Sequence, residues 1–124
     1  MTWAVSVPVD GADGGGEHFT VATEEDVDRL VALLRRPEAG EGSIQSENGA
    51  SVLDVLVQND YGYLLFSGEE AYVYSVGHPD SPAGESEGGF PAGSGVSIDR
   101  FRAALVEFVT SGGRLPSAVE WRDS

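Results

Sequence analysis

Three runs of β-branched and aromatic residues follow one another with almost nothing between them: SVLDVLV (51–57), YGYLLFS (61–67) and AYVYSV (71–76). Only QND and GEE separate them. Links this short cannot carry the crossover that joins parallel strands. They have hairpin length, so the three runs predict an antiparallel meander at the centre of the fold.

The flanking segments supply two helices and two further strands. WAVSVPV (3–9) alternates around its valines and predicts a strand, with Pro8 suited to a sheet edge or a strand end. DGADGGGEH (10–18) reads as a flexible loop and FTVA (19–22) as a short extended entry. Thr23 is an N-cap residue type, and Asp26 three residues later stands as in a capping box. Val27, Leu30, Val31 and Leu34 then share one helical face, and Pro37 ends the helix. The polar segment 37–50 reads as a loop with one short extended piece at Ile44. Residues 77–95, rich in Gly and Pro, form a long loop, a kind usually functional or disordered in a compact domain. Ser97 caps a second helix with the stripe Phe101, Ala104, Leu105, Phe108 and Val109. Gly112 or Gly113 supplies its left-handed stop, and SAVEW (117–121) returns as a last strand. The order β-α-β-β-β-α-β predicts an α+β fold in a single domain, 1–124. Its mainly antiparallel sheet has about five strands, with two helices packed on one face.

Charge restricts the partners. Twenty-one acidic residues stand against seven basic ones, all Arg, for a net charge of −14. Such a field repels nucleic acid and anionic membranes, which rely on Lys and Arg to meet phosphate. It attracts basic partners and speeds their encounter. No apolar run approaches the length of a membrane span, and MTWAVSVPVD lacks the pattern of a signal peptide, so a cytoplasmic protein is expected. Cysteine is absent, which removes disulfides, thiol nucleophiles and thiolate metal sites.

Reactive constellations are hard to find. A Ser-His-Asp triad needs a histidine held between a serine and a carboxylate. The two histidines, His18 and His78, lie in loop-like contexts, and serines and acids are too plentiful to single any out. Counted from Asp10 as an EF-hand loop, positions 3, 5 and 12 are Ala12, Gly14 and Val21, so calcium is not expected there. The same glycines lack the Gly-Lys-Ser/Thr ending of a phosphate loop. The expectation is no catalytic residue, no metal and no cofactor.

One concentration stands out. All four tyrosines, Tyr61, Tyr63, Tyr72 and Tyr74, fall on two adjacent predicted strands. Period two places each pair on one face, and if the helices cover the other face, the tyrosines line the open one. Tyr suits binding surfaces because it buries area and keeps a hydroxyl. It is also an ordinary strand former. Glu69 and Glu70 stand at the adjacent hairpin tip, and Asp80, Glu85 and Glu87 on the long loop. Together they would form an acidic, aromatic surface for a basic partner.

The stretch FPAGSGVSIDRFRAALVEFVTSGGRLPSAVEW (90–121) resembles immunity protein family one of bacterial polymorphic toxin systems. The matching features are Phe90-Pro91-Ala92, Arg102-Ala103-Ala104, Ser111-Gly112-Gly113, Arg114 with Pro116, and Val119-Glu120-Trp121. EEDVDRLVALL (24–34) is similar to the family's first helix, and AYVYSVGH (71–78) to its strand leading into a Gly-His step. The segment 79–89 looks longer and richer in Gly than is usual there. The resemblance implies a non-enzymatic antitoxin that binds and neutralises a cognate toxin, often a nucleic-acid deaminase with a basic substrate groove. The alternative is an acidic binding or regulatory module for another basic partner, such as a nucleic-acid mimic.

Overall fold

The structure, a computed structural model, describes residues 3–9, 16–45, 51–68, 71–84 and 89–123. Its elements run β1 (Trp3–Pro8), β2 (Gly16–Val21), α1 (Glu24–Leu34), β3 (Gly42–Gln45), β4 (Val52–Gln58), β5 (Tyr61–Ser67), β6 (Tyr72–Val76), α2 (Ile98–Thr110) and β7 (Glu120–Asp123). One sheet holds all seven strands in the order β2-β1-β3-β4-β5-β6-β7, and every neighbouring pair is antiparallel. The α+β architecture with two helices matches the sequence reading, but the sheet is larger than five strands.

The two extra strands grow from the short extended pieces expected at 19–22 and at Ile44, and β2 also takes in the end of the expected loop 10–18. β2 pairs with β1 over six residues, from Trp3 opposite Val21 to Pro8 opposite Gly16, yet only Val21 is buried. An edge strand with one buried side chain carries almost no hydrophobic alternation to read. β3 buries the Ile44 side chain and Gly42, and is held from both sides by β1 and β4. The last strand is also shifted: it covers 120–123 rather than 117–121. Residues 117 and 118 are instead held by Glu107, whose carboxylate accepts from Ser117 N at 2.7 Å and Ala118 N at 3.2 Å.

The central hairpin forms as expected. Asn59 and Asp60 connect β4 to β5 with φ of +54° and +65°, the conformation of a type I′ turn. Its twist matches that of the strands, and both residue types tolerate it.

Both helices begin at their predicted caps. Thr23 accepts from Asp26 N and Asp26 answers to Thr23 N, a complete capping box. Ser97 accepts from Arg100 N. At the end of α2, Gly112 and Gly113 have φ of +79° and +88°, and Gly113 N donates to Phe108 O, a Schellman closure. A side chain at Gly113 would also strike Trp3 and Ser51. Trp3 in turn donates its indole N–H to Val109 O at 3.1 Å and packs on Phe108.

The main core lies between the sheet and the helices. Trp3, Val5, Val7, Ile44, Leu53, Val55, Leu64 and Phe66 face Val27, Leu30, Leu34, Phe101, Leu105 and Phe108. Trp121 packs at its border: its ring meets Phe66, and its N–H donates to Pro116 O at 2.7 Å. Both helices occupy one side, so among the described residues the other side of the sheet is free of helix.

Candidate functional site

The register of the six strand pairs aligns one row of side chains across the helix-free face. It runs His18, Ser6, Ser43, Asp54, Leu65, Tyr74, Arg122, one residue from each strand. Period two along β5 and β6 puts Tyr61, Tyr63, Tyr72 and Tyr74 on the same face, as the alternation predicts.

Part of that face, at Leu56, Tyr63 and Leu65, is covered by the long loop. β6 stays paired with β5 only as far as Leu65 opposite Tyr74, and beyond this Val96 takes its place opposite Gly62. The Ser75 hydroxyl spans the gap, accepting from Leu64 N at 3.2 Å and donating to Ser94 O at 2.7 Å. Gly77 N donates to Gly93 O and His78 N to Gly95 O, each at 2.8 Å. The backbones approach so closely that a Cβ at Gly77 would lie 1.9 Å from Gly95 O. From this tied base the loop lays Phe90 against Tyr63 and Tyr74, with ring centroids 5.7 and 5.9 Å apart. Leu56, Tyr63, Leu65 and Phe90 form a second small core.

The covering loop sorts the tyrosines. Tyr63 is fully buried and donates its hydroxyl to Pro82 O at 2.7 Å, so it anchors the loop and presents nothing to solvent. Tyr61 and Tyr74 are half-buried at the rim of this small core. Tyr72 is 55% exposed. Asp80 is exposed; its N–H donates to His78 Nδ1 at 3.1 Å. Glu69, Glu70, Glu85 and Glu87 lie outside the described residues.

The histidines are not brought into a reactive set. His18 Nδ1 and Ser6 Oγ are 2.9 Å apart on the exposed face, but no described carboxylate engages the ring. His78 lies beside the Tyr61 ring, 6.2 Å between centroids, with the Asp80 carboxylate 4.0 Å away. No group of three His, Cys, Asp or Glu among the described residues is placed to hold a metal ion. The surface offers hydroxyls, ring faces and carboxylates, which suits recognition.

Three features escape sequence reasoning. Asp54, at the middle of the row, is partly buried, and its pKa is pushed up to about 6 by desolvation and then by the Glu41 charge. Tyr74 is raised too, chiefly by desolvation, with Tyr72, Glu41 and Asp54 adding to it. Arg122 faces outward opposite Tyr74 and, with Gly89, Phe90, Pro91 and Asp123, lines a cleft of about 500 Å³. The lone acid in SVLDVLV was the only available signal for Asp54; Arg122 gave none, because its strand was placed too early in the chain.

In comparison with known protein families, the family model described as Immunity protein Imm1 matches residues 15–123, from β2 through β7. No curated protein matches the chain. Among the described residues, no helix is long and apolar enough to cross a membrane.

Proposed function

This chain belongs to the Imm1 immunity protein family, and on that footing we propose that it neutralises its cognate toxin by docking the helix-free face of the sheet onto it. An immunity protein is an inhibitor, not an enzyme, and its partner is a toxin. The observation that carries the choice of face is Tyr72, the large exposed apolar side chain on it among the described residues, two residues along β6 from Tyr74, which lies in the row through Asp54. Exposed Tyr gives an anchor with little entropy to lose. Asp54 and Glu41 place negative charge on the same surface, in a chain of net charge −14. By their place in the sequence, Glu69 and Glu70 between β5 and β6, and Asp80, Glu85 and Glu87 in the segment 77–95, are the further acidic contacts of this reading.

The toxin class that fits is one with a basic substrate groove, and a nucleic-acid deaminase is the member the family resemblance brings forward. Such an enzyme must hold a polyanion before it can extrude a base, so its groove is cationic. An acidic inhibitor seated there excludes substrate without any chemistry of its own.

The test is titration of the purified protein against the toxin domain encoded beside it. A stable one-to-one complex that abolishes toxin activity is expected. Tyr72→Ala should weaken it by about tenfold or more, the effect of losing an interface anchor. Undiminished affinity in that variant moves the contact to the 77–95 loop. No association at low salt removes the proposal.

A further inference from the structure

The two edges of the sheet are built differently. β7 is four residues long and three of them are charged, Glu120, Arg122 and Asp123. Short, charged strands resist the addition of another strand. β2 is six residues long, pairs without interruption along β1, and has no strand on its other side among the described residues.

The outward groups of β2 follow from the pleat. Gly40 N donates to Pro8 O at 2.9 Å, on the side of β1 that faces β3. Direction alternates along a strand, so Ser6 and Ala4 also turn their backbone groups toward β3, while Val7, Val5 and Trp3 turn theirs toward β2. Their partners Glu17, Phe19 and Val21 complete that ladder. The N–H and C=O groups of Gly16, His18 and Thr20 therefore point away from the sheet. Beside this edge, between β2 and α1, lies a cleft of about 440 Å³ floored by Phe19, Ala32 and Leu33, with Glu17, Arg29 and Arg36 around it.

We propose that this edge pairs with β2 of a second copy, joining two sheets across a two-fold axis through His18. The register is set by symmetry. With His18 opposite the second copy's His18, Gly16 meets Thr20 at both ends, and every outward backbone group finds a partner. On the helix side Glu17 comes opposite the second copy's Phe19, over which Arg29 sits with its guanidinium 5.1 Å from the ring centroid. Glu17, 3.8 Å from Arg36 of its own chain, then also meets the second copy's Arg29, which stands 3.6 Å from Asp26, so two mixed charge clusters form across the axis. Two of the seven cations, Arg29 and Arg36, line this cleft, beside the carboxylates of Asp26, Glu17 and Glu38.

The pairing is independent of toxin binding and is tested without any toxin. Sedimentation equilibrium of the intact protein should show a reversible monomer–dimer exchange. It should tighten several-fold as salt rises from about 0.05 to about 0.5 M, because screening removes the repulsion between two acidic bodies. Thr20→Pro takes away one outward N–H and leaves the β1 ladder whole, as proline permits on an edge. It should weaken the dimer about tenfold with an unchanged circular dichroism spectrum. His18→Asp, a substitution on the exposed face, sets two carboxylates opposite each other at the axis and should weaken it as much. A protein that stays monomeric at ~1 mM in both salts overturns the proposal. So does a dimer that His18→Asp leaves intact.

Discussion

Asp54 sits in a run of valines and leucines and points to the helix-free face, where burial and Glu41 raise its pKa to about 6. The folded protein therefore holds this proton more tightly than the unfolded chain does. Stability should fall as pH rises from about 4 through 6, with the cost of the ionised carboxyl fully felt at pH 7. A shift of this size corresponds to ~3 kcal/mol, and because much of the group remains in water about 1 kcal/mol is expected. Asp54→Asn should stabilise the protein by that amount at pH 7 and by little at pH 4, read from urea melts at the two pH values. If Asp54 meets a cation of the toxin, the same variant binds more weakly, so stability and affinity move in opposite directions. At this scale the sequence was legible in its caps and turns. Thr23, Ser97, Asn59, Asp60 and the Gly112–Gly113 pair act through neighbours a few positions away. Asp54 and Tyr63 were not legible in this way, because the burial of each is set by residues brought close only by the fold.

The elements divide by how much of their environment is local. α1 and α2 bury one stripe each, and a stripe can be read from spacing alone. β2 and β3 owe their pairing to β1 and β4, and contribute one buried apolar side chain apiece. The 77–95 loop, read from the sequence as a kind usually functional or disordered, is held by contacts that spacing does not reveal. Gly77 is needed for a close backbone approach and Gly95 for room beside Tyr61 and Ser81, and the described parts of the loop are tied to β5 and β6. Phe90 is the side chain that secures it. Phe90→Ala should release the cover: hydrogen-exchange protection is lost at Gly84, Gly93 and Gly95, while amides in α1 and α2 keep theirs. A uniform loss in both regions would mean that the small core is continuous with the main one. With the cover released, Tyr63 joins the open face, so the loop also fixes how many tyrosines a partner can meet.

At the scale of the whole molecule, net charge was readable from composition and points to the kind of partner. Where that charge gathers was not readable, since the strand register decides which acids share a face. The expected signature is kinetic. Association with the toxin should be fast at low salt and slow severalfold between about 0.02 and about 0.2 M, with a much smaller change in the dissociation rate, as measured by stopped-flow mixing. A rate indifferent to salt would mean that the acidity serves solubility alone.

The strand order has one more consequence. Apart from the exchange of β1 and β2, strands lie in the sheet in the order in which they occur in the chain. Five of the six pairings join consecutive strands, β6 with β7 across α2, and the remaining one, β1 with β3, spans β2 and α1. Closing a loop costs little more as it lengthens, and the search for native contacts is quickest when partners are near in sequence. A sheet of seven strands ordinarily assembles slowly through distant pairings. This one can be laid down strand by strand, which shortens the interval in which a newly made chain has no surface to offer a partner.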